Sequence, residues 1–564
     1  MIAPELRAEQ VRETGGMLEV RGAPEGYWGE LEEAEFDSLL AGVRREKDFD
    51  LAIVDFFRHH PRKDLYPYIC DCSGRTAWLA LLPRSSGGVA LDVGSGHGAI
   101  AEGLARSFER VYALEGCRRR CELLVERKGL KGLDSVEVIH ADALAVPLDD
   151  ASVDLIACNG TLEWVALTVP GRVGLVQRRF LAELRRVLKP GGVLYIGIEN
   201  RFGRQYLRGA LDHTGLRYTS LLPRPLASLA SCRARPKEFA YRGAEPGYRT
   251  YTYGARSYVR LLKGAGFASV AIFCAEPSYD LPRLAFPHSG SRVELREFFD
   301  TFVHRPFSPL RDRLLANNFF IFASPSRELD LKNTPTFFGF SGPVCVEGGT
   351  VVRVDSTGSR QAEPCVVGTP VLLGPNRALT AERVLAAYES FMATATPAKP
   401  QREVRLQEAL RAFLEAQVVG HDHLNVMLER ILREHMEPVY HGDFWVGNIL
   451  TRASDGRLVL IDRERHPFGS RRLDSADFLL DFLLNTRSGA FPAFDLKRFC
   501  AHFALAPDDR RLLEVAILRQ VLWYSPAGRP YPLLFTHLEM LKELCCAGRL
   551  PEALRVGLRR AGLA

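Results

Sequence analysis

Apolar positions recur at helical spacing in FDSLLAGVRR and LAIVDFFRHH, ahead of Pro61, and predict a mainly helical N-terminal extension over residues 1–80. From Gly88 the pattern changes to short apolar runs alternating with amphipathic ones. VALDV reads as a buried strand, the glycine turn after it leads into a helix through Ala105, and VYAL is a second strand. A helix near 117–128 and the strand VEVIH follow. VDLIAC, a helix through LAELRRVL, the LKPGG turn and the strand VLYIGIE continue the alternation. Continuous apolar strands separated by helices predict an α/β domain built on a parallel, doubly wound sheet.

Over 201–250 the periodicity is lost, and it returns in SYVRLLKGAGF and ASVAIFC. The first domain is therefore expected over 81–330, with 201–250 as an inserted lid or acceptor-binding segment and a boundary around 330, before TPTFFGFSGP. The remainder, 335–564, carries short strand-like runs (PVCVEGG, TVVRVDS, PCVVGTPVLL), then helices from 380 to 435, a compact loop motif at 440–462 and helices to the end. Strands first and helices later is an α+β order.

Composition adds limits. A chain of 564 residues with 46% hydrophobic and 25% charged residues is an ordinary folding sequence, long enough for two or three domains. Its net charge of +6 is too thin over that length to demand a nucleic-acid partner. No apolar run approaches the roughly 20 residues of a membrane helix, and MIAPELRAEQVRETGG has no signal-peptide core, so a cytoplasmic protein without a membrane span is expected. Twelve cysteines are scattered without any CxxC, which fits reduced thiols better than a disulfide framework, and His421 and His423 lack a zinc-ligand pattern around them. Residues 201–250 are locally basic: Arg201, Arg204, Arg208, Arg217, Arg224, Arg233, Arg235, Lys237, Arg242 and Arg249 stand against Asp212, Glu238 and Glu245. Guanidinium groups suit phosphate or carboxylate, so an anionic acceptor fits this segment, as does a solvated charged lid.

VALDVGSGHGAI sets Gly94, Gly96 and Gly98 directly after a strand and before a helix, where absent side chains allow a tight turn and close approach of backbone to a ligand. Glu115 ends the next strand about 20 residues later, where a carboxylate can accept both hydroxyls of a ribose. Asp142, with Ala143, ends the third strand beside the same crevice. Asp92, the turn glycines, Glu115, Asp142, VDLIAC and VLKPGGVLYI, in that order, resemble the class I S-adenosylmethionine-dependent methyltransferases over about 85–200. A nicotinamide-binding Rossmann enzyme is the competing reading, but the third glycine comes one residue early for GxGxxG. The resemblance implies a Rossmann-like fold in which Asp92, Gly94, Gly96 and Gly98 cradle the methionine part of S-adenosyl-L-methionine, Glu115 binds ribose and Asp142 and Ala143 bracket adenine. More loosely, IENRFGRQYLRGALDHTGLRY and YRTYTYGARSYVRLLKGAGF resemble methyltransferases of cell-surface polysaccharide assembly. Methyl transfer to a hydroxyl needs proximity and a base, for which Asn200, Asp212, His213 and Tyr253 are candidates, with His213 beside Asp212 chosen as catalytic.

VYHGDFWVGNIL followed by LVLIDRE brings Asp443, Asn448 and Asp462 into one loop–strand–turn arrangement. In a phosphoryl transferase an Asp orients the substrate hydroxyl while an Asn and a further Asp hold magnesium. The segment resembles the aminoglycoside phosphotransferase and choline kinase-like family over about 340–500. The resemblance implies an α+β, protein-kinase-like fold using ATP and magnesium, with Asp443 as catalytic base, Asn448 and Asp462 as metal ligands, His441 shaping the loop and Asp474 supporting it. Arg353 in TVVRV stands where that family places lysine, with Glu382 or Glu389 as its helix partner, and this departure favours a pseudokinase as the alternative. Together the two halves imply a methyltransferase acting on a hydroxylated, saccharide-type acceptor, fused to a small-molecule-kinase-like domain that phosphorylates the same acceptor. The alternatives are a non-catalytic C-terminal binding module, or an RNA methyltransferase; no DNA partner is expected, and missing RNA-binding modules disfavour the last.

Overall fold

The computed structural model describes residues 11–24, 29–83, 87–167, 169–234 and 246–299. From 303 to 560 it describes all but 304–305, 327, 340–341, 348–349, 355–359, 365–367, 371–378, 396–407, 438, 443, 446–447, 453, 456, 461–467, 485–493, 507–508, 525–533 and 546–549. Two compact units result, one formed by 1–298 with 306–364 and one by 299–305 with 365–564.

The first unit is organised by the sheet that the apolar runs predict. β1 (Val11–Thr14), β2 (Met17–Val20), α1 (Glu33–Arg45) and α2 (Phe49–His59) precede it. The alternation proper comprises β3 (Val89–Val93), α3 (Ala99–Ala105), β4 (Arg110–Glu115), α4 (Arg118–Lys131), β5 (Val136–His140), β6 (Val153–Asn159), α5 (Val173–Val187) and β7 (Leu188–Glu199). Strands β5, β4, β3, β6 and β7 lie side by side and parallel. α6 (Ala255–Gly264), β8 (Ser269–Glu276), β9 (Leu284–Pro287) and β10 (Asn318–Ser324) follow, with β10 antiparallel between β7 and β8. Four of the five residues of β3 are buried, as a strand covered on both faces by helices requires.

Two boundaries differ from the sequence reading. Residues 11–20, expected within a helical extension, form an antiparallel hairpin whose second strand pairs in parallel with β5, Leu18 opposite Ile139. The paired glycines Gly15 and Gly16, both at positive φ, turn this hairpin, and its alternation is too short to show as a periodic signal. The first unit also runs past 330: β11 (Thr336–Gly339), β12 (Gly342–Glu347), β13 (Thr350–Val354) and β14 (Arg360–Pro364) continue the same sheet from β9 as antiparallel neighbours. The open edge of β9 offers ladder groups that a following meander can satisfy, which no local pattern reveals.

The N-terminal helices are integral to this unit. Arg44 of α1 bonds Glu126 of α4 at 2.8 Å, and Trp78, fully buried, stacks on Tyr195 of β7 with ring centroids 3.8 Å apart. Arg127 of α4, 1% exposed, donates to Glu102 of α3 and to the carbonyls of both Ile69 and His97, each at 2.8 Å. One guanidinium therefore fastens the N-terminal extension to the glycine turn.

The second unit holds a small antiparallel sheet of β15 (Gly368–Pro370), β16 (Ile449–Arg452) and β17 (Leu458–Leu460). Its helices include α7 (Ala381–Thr394), α8 (His421–Glu434), α9 (Arg471–Leu484) and α10 (Arg510–Tyr524). Phe444, Phe478 and Phe499 pack at centroid distances of 4.6 to 6.2 Å, and buried Arg519 pairs with Asp477. Among the described residues no helix is long and apolar enough to cross a membrane, and ten cysteines are free thiols.

Replacing Trp78 by Ala removes a fully buried ring and should cost the first unit about 3–5 kcal/mol. A calorimetric midpoint for that unit within a degree of wild type would show that the extension is not part of its core.

Candidate active site

The carboxyl ends of β3, β4 and β5 form the crevice where a doubly wound sheet holds ligands. Gly94, Gly96 and Gly98 all have positive φ, at 71°, 56° and 86°, but they do different work. A side chain at Gly94 would strike the Thr161 hydroxyl and one at Gly98 the Leu124 side chain, each at 2.3 Å, so these two serve packing. A side chain at Gly96 would meet nothing closer than 4.0 Å, so that backbone lies open for a ligand's approach.

Glu115 is buried, and each of its carboxylate oxygens accepts a backbone N–H: Gly96 at 2.8 Å and Cys117 at 2.9 Å. Each oxygen retains a lone pair for a further donor. Asp92 lies beneath the turn, 1% exposed, and its Oδ2 has no hydrogen-bond partner. Burial pushes its carboxyl up to about 7, with the Arg75 guanidinium opposing the rise. Arg75 itself pairs with Asp280 at 3.1 Å and sits over the Tyr68 ring. Asp142 is exposed at the end of β5 and caps its own turn by accepting Leu144 N–H at 2.9 Å; Ala143 beside it is half-buried. The crevice residues predicted from sequence thus come together on adjacent strand ends. The residues fit a cofactor carrying an ammonium group and a ribose, since Asp92 offers a buried acceptor without a donor and Gly96 an unobstructed backbone. Asp92, the Gly94–Gly98 turn, Glu115, Asp142 and Ala143 would hold it.

The acceptor-side candidates separate clearly. Asn200 is consumed structurally, donating to the carbonyls of Leu314 and Ala316 and accepting from Phe202 N–H. Asp212 turns back on Thr214, accepting its N–H and hydroxyl, and Tyr253 donates to Gln177. His213 bonds not its chain neighbour Asp212 but Glu199, at the end of β7, with Nε2 to Oε2 at 3.2 Å. Glu163, which the sequence reading missed, lies 3.7 Å from the same nitrogen, fully buried, with neither carboxylate oxygen in a hydrogen bond. Burial raises the Glu163 carboxyl, and the Glu199 carboxylate raises it further. Burial alone would lower His213, but Glu199 holds it up at about 9. Trp164 flanks the imidazole at 4.8 Å.

The basic segment also differs from expectation. Arg201 donates to the carbonyls of Ser220 and Leu222, Arg204 to Glu276, and Arg249 to the carbonyls of Ala166, Val169 and Gly171. Arg224 bonds Thr252 and stacks 4.0 Å over Tyr251. These four charges brace the loop against the domain, because carbonyls left unpaired by irregular backbone need buried donors. Arg208, Arg217 and Arg233 are exposed, and Arg235, Lys237 and Arg242 lie outside the described residues.

In the second unit Asp474 of α9 accepts the N–H groups of His441 and Gly442, at 2.6 and 3.0 Å, and the Tyr388 hydroxyl at 2.8 Å. Asn448 is buried just before β16. Asp443 and Asp462 lie outside the described residues, as does the side chain of Arg353.

Known proteins match the same crevice-forming stretch. A family described as methyltransferase domain matches residues 91–196. A demethylmenaquinone methyltransferase of Clavibacter sepedonicus is 38% identical over 106 residues, 19% of this chain and 39% of that protein. A malonyl-[acyl-carrier protein] O-methyltransferase of Prosthecochloris aestuarii is 29% identical over 147 residues, 25% of this chain and 50% of that one. The chain thus spans half or less of the length of these curated relatives. A solved S-adenosylmethionine-dependent methyltransferase of Aquifex aeolicus aligns over 50% of this chain and 97% of its own, at 16% identity and a TM-score of 0.25, a likeness too slight to argue from. Over residues 91–196, then, the doubly wound sheet of the first unit matches a methyltransferase domain.

A buried acid near 7 makes cofactor binding depend on pH with a definite sign. Ionised Asp92 would attract the ammonium of a methionine part bound at this turn, so S-adenosylhomocysteine should bind about tenfold tighter at pH 8 than at pH 6, and Asp92→Asn should abolish that dependence. The same raised carboxyl acts oppositely on the free fold: its contribution to stability is present below about pH 4 and is lost as pH rises through about 7. Equal pH profiles for wild type and Asp92→Asn in calorimetric titration would remove Asp92 from the site.

Proposed function

We propose that this protein transfers a methyl group from S-adenosyl-L-methionine to a hydroxyl of a saccharide-type small-molecule or glycan acceptor. The observation that carries the reading is the Glu115 carboxylate held against the open Gly96 turn on adjacent strand ends. When bound, the cofactor supplies an electrophilic methyl on a sulfonium. The chain's own part is to hold the cofactor along the strand ends and to seat the acceptor beside the loop after β6. That loop is tied to the glycine turn where the Thr161 hydroxyl donates to the Val93 carbonyl at 3.1 Å. His213 is the proposed catalytic residue, grouped with Glu163 and Glu199 to manage the acceptor's proton. The inward use of four arginines favours a neutral acceptor over an RNA, because those charges are spent on the fold.

For the second unit we propose a kinase-like domain that binds ATP and magnesium, with Asp443 as base and Asn448 and Asp462 as metal ligands, phosphorylating the same acceptor. Support comes from Asp474, which bonds the two backbone N–H groups directly preceding Asp443, as a supporting carboxylate for that loop should. A non-catalytic binding module is the second reading, favoured by arginine at position 353.

Two measurements test these halves separately. Glu115→Ala should weaken S-adenosylhomocysteine binding by about 1.5–3 kcal/mol, the scale of a hydrogen bond to a charged group, and unchanged affinity would overturn the cofactor assignment. Magnesium-dependent ATP consumption with sugar acceptors should fall at least a hundredfold in Asp443→Asn, on the scale of losing general-base assistance; equal rates in the two proteins would exclude phosphoryl transfer at this site.

A further inference from the structure

Glu163, Glu199 and His213 come from the loop after β6, the end of β7 and the segment beyond it, yet one ligand atom from each lies within 4.8 Å of the others. Three atoms bound at about 2.1 Å to one tetrahedral ion stand about 3.4 Å apart. The distances from the His213 nitrogen, 3.2 Å to Glu199 and 3.7 Å to Glu163, bracket that value.

An ordinary histidine–glutamate pair accounts for His213 and Glu199, and leaves Glu163 facing the same imidazole at 3.7 Å, an ion-pair rather than a hydrogen-bond distance. Glu163 is 0% exposed, its two oxygens have no hydrogen bond, and it faces the imidazole. A carboxyl with a purely structural role is supplied with backbone or side-chain donors, as Glu115 and Asp474 are in this same chain. At Glu163, among the described residues, no other residue's donor reaches hydrogen-bond distance; its own backbone N–H and the His213 imidazole at 3.7 Å are the groups that face it. Two carboxylates and one imidazole form a donor set suited to first-row divalent cations, and a +2 ion would balance two ionised carboxylates beside a neutral imidazole.

We infer that Glu163, Glu199 and His213 bind one divalent transition-metal cation at the carboxyl edge of the sheet, with coordination positions left for water or an oxygen of the acceptor. The site stands on the three side chains; its use in methyl transfer rests on the function proposed above. With the cation bound, His213 serves as a positioning ligand through Nε2 and no longer takes the acceptor's proton; the cation polarises the acceptor hydroxyl in its place.

The test uses untagged, chelator-stripped full-length protein titrated with Mn²⁺, followed by electron paramagnetic resonance and by metal analysis after gel filtration. Wild type should retain about one Mn²⁺ per chain, and Glu163→Gln, which keeps the side chain's size, should bind it at least tenfold more weakly. If that variant fails to fold, His213→Gln at the partly exposed member of the group should show the same loss. No retention by wild type, or equal retention by the variant, overturns the site. Calorimetry with S-adenosylhomocysteine on the same samples separates the two ideas: intact cofactor binding without metal retention overturns the cation site alone, whereas absent cofactor binding overturns the methyltransferase reading.

Discussion

A single buried carboxylate organises the strand-end crevice of the first unit. Glu115 sits where β4 leaves the sheet, and the chain satisfies it with two backbone N–H groups, one from the turn after β3 and one from the start of α4. Hydrogen bonds to a charged acceptor in a dry environment are the stronger kind, and losing this acceptor would strand two buried donors at once. The glycine turn is therefore held open by the residue proposed to bind ribose. Shape and chemistry at the crevice share one cause.

The turn is held from its other side by a second buried charge. Arg127 reaches the His97 carbonyl in the turn, the Ile69 carbonyl in the N-terminal extension and the Glu102 carboxylate in α3. Arg75 of the same extension pairs with Asp280, which in turn accepts from Asn159 at the end of β6. Ile69 and Arg75, both before β3, are thus tied to the strand-end crevice, and their removal would leave Arg127 short of one carbonyl and Asp280 without its cation. Buried charges left unpaired cost several kcal/mol, so the extension and the sheet form one structural unit.

What the sequence made legible was local. Asp92, Gly94, Gly96, Gly98 and Glu115 fall within 24 positions, on strands and turns whose order follows from apolar periodicity, and the structure places them on adjacent strand ends. What it hid was set by tertiary contact. Glu163 and Glu199 are 36 positions apart, and nothing in GTLEWV announces a carboxylate that will be buried without a donor. The arginines of 201–250 read as a charged surface because composition cannot show that Arg201 and Arg249 turn inward to carbonyls. The strands from 336 to 364 read as the opening of a second domain because their sheet partner, β9, lies about 50 positions back, and short strands carry no mark of the edge they will join.

The central claim is that the strand ends around Glu115 are the cofactor site, and amide hydrogen exchange reads it at the bonds concerned. The N–H groups of Gly96 and Cys117 already donate to Glu115, so a ligand that closes over this carboxylate should slow their opening further. With saturating S-adenosylhomocysteine, exchange over 94–98, 115–117 and 141–145 should slow by tenfold or more, with the second unit unaffected. Unchanged exchange in these three segments, or protection confined to another part of the chain, would contradict the account.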